Sequence, residues 1–334
     1  MMDYNSIQKE LENGQYRPVY FLQGEESYFI DKLTKYIELH AIQEHERDFN
    51  QTIFYGKDCT PDIVLETAKR FPMMAERQVV IVREAQHLKS KMDEFKAYLE
   101  NPLQSTVLVF NYKYGKLDGR KEIAKLFGQH CMFTSNKLKD YLIPDWIVQY
   151  GRSEELDISQ KSAVLLSEYL GNDLQKIAGE IAKLKIATKS GSKIDTEDIQ
   201  KNIGISKDYN VFELQNALLT RDVLKANQIV KYFASDSKKH PDVLTISILF
   251  SLFQRLMKFH FSVNKSNDKA LAREIGVHPY FLKEYKSASK YYTPKKLADI
   301  IYQLRMADLK VKGVDSATNK PGAIITELIY RILH

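Results

Sequence analysis

The chain has 334 residues, of which 44% are hydrophobic and 28% charged, with a formal net charge of +6. That length suits roughly two or three domains of about 150 residues each, and the composition excludes a disordered or fibrous chain. No run of about 18 uncharged apolar residues is present, so no membrane span is expected; the richest stretch, residues 243–263, is broken by Gln254, Arg255, Lys258 and His260 and reads as a core helix.

From the N-terminus, MMDYNSIQKELENGQY is polar and carries acids, so neither a signal nor a transit peptide is expected, and a cytoplasmic location follows. Two cysteines, Cys59 and Cys131, are too few and too far apart for a secreted disulfide framework. PVYFLQG (18–24) reads as a buried strand ending at Gly24. A helix follows, with Phe29, Leu33, Ile37 and Ala41 on one face. FNQTIFYG (49–56) reads as a second strand. TPDIVLETAKRF then opens with Thr60 as N-cap and Pro61 at the first helical position. Val64, Ala68 and Phe71 form its expected inward stripe, and Pro72 ends it. The β-branched run in RQVVIVREAQHL (77–88) marks a strand buried on both faces. STVLVFNY (105–112) and HCMFTS (130–135) give two more strands. Alternation of this kind implies a parallel α/β sheet with right-handed crossovers.

After about residue 140 only helix signals remain. SQKSAVLLSEYLG (159–171) and DLQKIAGEIAKLKIA (173–187) are amphipathic, and DTEDIQKNIG (195–204) is a short helix for which Thr196 is the expected cap. From 211 onward six or more helices follow, and GVDSATNKPG (313–322) reads as a loop. Charge is unevenly placed: residues 211–334 hold 20 Lys and Arg against 11 Asp and Glu, whereas the preceding segments are slightly acidic. The surplus marks either an anionic partner or a solubilising helical surface.

An α/β domain followed by helical domains has the outline of a nucleotide-driven machine, but its chemistry is missing. A phosphate loop needs glycines, a lysine and a hydroxyl. After the first strand stand Gly24, Glu25, Glu26 and Ser27, and two carboxylates repel a triphosphate. Where a metal-binding strand end would carry Asp-Glu, the chain has Arg83-Glu84. The eight histidines show no metal-ligand spacing, and no nucleophile, zinc or dinucleotide motif is present. No catalytic residue, cofactor or metal is therefore expected.

The chain resembles the delta subunit of bacterial DNA polymerase III. The matching stretches, in order, are PVYFLQGEESYFID (18–31), RFPMMAERQVVIVREAQHL (70–88), STVLVF (105–110), PDWIVQY (144–150), LGNDLQKIAGEIAKL (170–184), NVFELQNALL (210–219) and LRMADLKVKG (304–313). The resemblance implies a RecA-like (AAA+-type) α/β domain that has lost nucleotide binding (1–140), a small helical lid (141–210) and a helical collar (211–334) that joins other clamp-loader subunits. It implies a non-catalytic subunit of a nucleotidyltransferase holoenzyme, one that binds the beta sliding clamp and opens it for loading onto primed DNA.

The family places an apolar pair, typically Leu-Phe, just before an Arg-Gln that leads into the third strand. Here the pair falls on Met73 and Met74, ahead of Arg77-Gln78, with Phe71 and Pro72 in support. The pair lacks the aromatic ring, and Phe71 is expected to face the core. Methionine is flexible and polarizable, which suits a binding surface. Two other readings stay open: an active ATPase with an unusual loop, and a stand-alone nucleic-acid-binding protein. The latter would use Lys238, Lys239, Lys295 and Lys296, with Lys310 and Lys312, to touch phosphates, and Tyr291 and Tyr292 to stack on bases.

Overall fold

The alternation of strands and helices in the first 140 residues folds into one parallel sheet between two helical layers. The structure is a computed structural model that describes residues 3–188, 191–203, 209–237, 240–314 and 322–334. Its elements begin with α1 (Tyr4–Glu12), β1 (Val19–Gly24), α2 (Ser27–His40), α3 (Arg47–Asn50), β2 (Gln51–Tyr55), α4 (Pro61–Ala68) and β3 (Gln78–Arg83). A 3-10 segment, Ala85–Phe95, leads into α5 (Lys96–Glu100), followed by β4 (Thr106–Lys113), α6 (Glu122–Gln129) and β5 (Cys131–Ser135). The strand order is β2-β3-β4-β1-β5, and every neighbouring pair is parallel. This is the RecA-like (AAA+-type) sheet that the resemblance implied.

Strand periodicity builds both cores at once, because successive side chains leave opposite faces. Val19, Phe21, Val80, Val82, Leu108 and Phe110 pack on one face with α4 and α6. Tyr20, Leu22, Val79, Ile81, Val107 and Val109 pack on the other with α1 and α2. That is why these strands read as continuous apolar runs rather than as alternating ones.

The chain divides into two units, Met1–Leu138 and Lys139–His334. The second is mostly helical: α7 (Ile143–Ser153), α8 (Gln160–Leu170), α9 (Leu174–Ala187), α10 (Thr196–Ile203), α11 (Val211–Thr220), α12 (Val223–Ser235), α13 (Asp242–Phe261), α14 (Asp268–Ile275), α15 (Leu282–Ala288), α16 (Pro294–Val311) and α17 (Ala323–Leu333). One apolar core runs from Leu214 to Leu333 and draws on helices α11 to α17. Residues 243–263, the richest apolar stretch, became α13, which buries Leu249, Leu252, Phe253 and Leu256 in that core.

Four local expectations are corrected. The helix after Pro61 stops at Ala68, and Phe71 is 77% exposed rather than on its inward stripe. The second strand begins at Gln51, and Phe49 and Asn50, expected within it, belong to α3. Past residue 140 a two-residue parallel pair, β6 (Asp157–Ile158) with β7 (Lys193–Ile194), interrupts the helices. Asp195, not Thr196, caps α10, its carboxylate accepting from Glu197 N at 2.7 Å and Asp198 N at 3.3 Å. A carboxylate accepts more strongly than a hydroxyl at a helix N-terminus, where the orphan N–H groups carry partial positive charge.

Candidate functional site

The segment between α4 and β3 is a surface tip. Met73 is 61% exposed, Met74 fully so, and Phe71 joins them, with Pro72 half-buried. Connections are usually polar for lack of apolar burial, so this run is an anomaly the fold maintains deliberately. Met74 has φ 53°, a left-handed conformation that is uncommon for a non-glycine residue.

A set of buried polar side chains lies beneath the tip. Asn50, 3% exposed, ends α3 and grips the backbone of Met73 at both ends. Its Oδ1 accepts from Met73 N at 2.6 Å and its Nδ2 donates to Met73 O at 2.9 Å. Nδ2 also faces Glu46 O at 3.1 Å. Gln78, the first residue of β3, is buried and turns its amide toward the frayed end of α4. Its Nε2 faces the carbonyl oxygens of Thr67, at 3.2 Å, and Arg70, and the Thr106 hydroxyl at 2.9 Å. Thr106 in turn donates to Ala68 O at 2.9 Å. The last carbonyls of a helix need such partners. Arg77 stacks its guanidinium 4.8 Å from the Tyr16 ring centroid and meets Glu76 at 3.3 Å. The two ends of the tip are thus fixed while its apolar side chains stay outside. Sequence reading singled out the methionines but missed Asn50 and the anchoring role of Gln78. Asn50 carried no signal, since its partner lies on another segment; Gln78 was legible only as part of Arg-Gln.

The turn at the end of β1 is the second candidate. Only Glu25 and Glu26 separate β1 from α2. The N–H groups of Glu25 and Glu26 both point at Ser135 O, at 2.9 and 3.4 Å. Gly24 O accepts from Tyr114 N at 2.8 Å. The Glu26 carboxylate accepts from Tyr28 N at 3.2 Å and so caps α2. A phosphate cradle requires free N–H groups around a longer glycine-rich loop. Here the turn is short and its donors face a strand carbonyl. Gly24 itself sits at φ +134°, and a Cβ there would lie 1.9 Å from Ser135 O. Ser27 begins α2 beside these carboxylates.

At the end of β3, Arg83 binds Glu38 at 2.8 Å, and the Gln86 side chain accepts from Lys113 N at 3.1 Å. Lys113 reaches Asp31 at 2.6 Å. This edge is closed by ion pairs where a metal-binding carboxylate pair would be needed. Among the described residues, no three His, Cys, Asp or Glu side chains are grouped to hold a metal ion. Burial pushes the Cys131 thiol up to about 12, and it also raises that of half-buried Cys59, so neither sits in a thiolate-favouring site.

The basic residues of the C-terminal third are distributed rather than gathered. Lys238 and Lys239 lie outside the described residues. Lys295 is exposed at the start of α16; burial, and then the charge of Arg221, hold the neighbouring Lys296 ammonium below its ordinary value. Tyr291 is exposed, but Tyr292 is fully buried and donates to Leu218 O at 2.7 Å, so it cannot stack on a base as expected. Lys310 and Lys312 meet Glu327 at 3.7 Å and Asp308 at 2.7 Å. No helix among the described residues is long and apolar enough to cross a membrane.

Comparison with known proteins gives the following likenesses. The family described as DNA polymerase III, delta subunit, matches residues 20–136, and that family's C-terminal domain matches residues 208–320. The DNA polymerase III subunit delta of Bacillus subtilis (strain 168) is 27% identical over 318 residues, covering 92% of this chain and 91% of that protein. The solved structure of the Bacillus subtilis DNA clamp loader delta protein superposes with a TM-score of 0.58 at 22% identity, covering 99% of each chain.

Proposed function

The chain belongs to the DNA polymerase III delta-subunit family, and from that premise we propose that it is the clamp-loader subunit that grips the sliding clamp. Met73 and Met74 enter a hydrophobic pocket of the clamp and favour the opened ring, which is then loaded onto primed DNA. The observation that carries this reading is the apolar tip itself, exposed on top yet anchored below by Asn50 and Gln78. Full burial of a methionine side chain is worth roughly 1.5–3 kcal/mol, so two form a credible hot spot.

Ring opening by this route needs no chemistry from the chain. A ligand that binds the open form better shifts the equilibrium by its differential affinity. The short β1–α2 turn, with its donors engaged by Ser135, supports a subunit that hydrolyses no ATP itself and leaves that task to its neighbours. In the same reading residues 1–140 form the clamp-gripping domain, 141–210 a lid and 211–334 a collar that meets the other loader subunits. The core confined to Leu214–Leu333 supports the collar as a folding unit. The subunit works in the cytoplasm, as an accessory part of a polymerase.

The test is binding of the chain to the purified sliding clamp of the same organism. Met73→Ala/Met74→Ala is expected to weaken binding more than tenfold, about 1.4 kcal/mol. Because both side chains are exposed, its stability should stay within about 0.5 kcal/mol of wild type. Equal binding by both proteins would move the site elsewhere. No binding by either would remove the clamp-gripping role.

A further inference from the structure

We infer that Phe49 is a second anchor of the tip, an aromatic one, and contacts the sliding clamp beside Met73 and Met74. The inference rests on the clamp-binding reading above. Phe49 is 71% exposed in α3, immediately before Asn50. Asn50 is turned inward and holds Met73 through two hydrogen bonds. One peptide unit and one asparagine side chain therefore separate Phe49 from Met73. Their relative placement is fixed by that clamp rather than by chance proximity.

A single exposed apolar side chain is ordinary. Phe49, Phe71, Met73 and Met74 come from two chain segments locked together, and all four are more than half exposed. Grouped exposure of this kind marks an interaction surface. Aromatic rings bury roughly 150–250 Å² each and dominate interface energetics, and the Met73-Met74 pair carries no ring of its own. Because Asn50 ties the segment that carries Phe49 to Met73, a partner that buries Met73 comes within reach of Phe49. The occupant is accordingly the clamp.

The experiment compares clamp binding by wild type, M73A/M74A, Phe49→Ala and Phe261→Ala. Phe261 is equally exposed at 71% but lies at the end of α13, so it controls for loss of any surface ring. The expected result is a loss of about fivefold or more for F49A, roughly 1 kcal/mol, with F261A unchanged and all urea midpoints equal. If M73A/M74A loses binding while F49A binds like wild type, the inference is overturned and the clamp reading survives. If wild type does not bind, both fall. Should F49A lower the urea midpoint, Phe49→Leu, which keeps apolar bulk without the ring, takes its place, and the same loss is expected.

Discussion

Asn50 shows how much one side chain can decide. An amide presents one acceptor and two donors, and Asn50 spends them on both ends of a single residue of the tip and on its own helix. Without it the backbone N–H and carbonyl of Met73, next to the left-handed Met74, lose these partners. Asn50→Ala should therefore cost about 1–3 kcal/mol of stability, the penalty for stranded polar groups. It should also weaken clamp binding even though it removes no contact residue. Urea unfolding and clamp titration of the same variant check both parts. An unchanged midpoint with unchanged affinity would mean that the tip holds its shape without the clamp. The two methionines were conspicuous in the sequence because bulky apolar residues interrupt a turn. Asn50 was not, because a hydrogen bond between distant segments leaves no periodic trace.

At the level of elements, the β1–α2 connection separates this sheet from a nucleotide-binding one. Glu26 caps α2, Ser135 engages the turn's N–H groups, and Gly24 lies against the same carbonyl. The glycine here serves close backbone approach to β5 rather than approach to a phosphate. Gly24→Ala should destabilise by about 3 kcal/mol or more, combining strain at positive φ with a steric clash. Thermal unfolding checks this, and a loss below about 1 kcal/mol would show that β5 can shift to make room. The strands and most helices were legible because burial on two faces and amphipathic spacing are written directly into residue order. Element ends were less so. The sequence carried α4 through to Phe71, but the helix stops at Ala68, where Gln78 and Thr106, from neighbouring strands, engage its last carbonyls.

Over the whole molecule, several cations of residues 211–334 are engaged by acids on the same or a neighbouring helix. Lys286 meets Asp268 at 2.6 Å, Lys312 meets Asp308 at 2.7 Å, and Arg331 meets Glu327 at 2.6 Å. Such pairs leave fewer cations for phosphates. The isolated chain should bind DNA only weakly and without sequence preference, with Kd on the order of 10⁻⁴–10⁻⁶ M near physiological salt and a steep loss as salt rises. Fluorescence anisotropy across a salt series measures it. Nanomolar, sequence-selective binding would instead favour the stand-alone nucleic-acid reading.

The sequence by itself determined the parallel α/β sheet, the mostly helical remainder, the absence of a phosphate-loop motif and the identity of the apolar run at 71–74. These are properties of residue type and spacing along the chain. Only the tertiary structure decided that Phe71 faces solvent, that Tyr292 is buried, that the turn donors at Glu25 and Glu26 face Ser135, and that Asn50 is tied to Met73. Each of these depends on which groups from distant segments meet, and a hydrogen-bond partner or a burying neighbour is not encoded in the local pattern it completes.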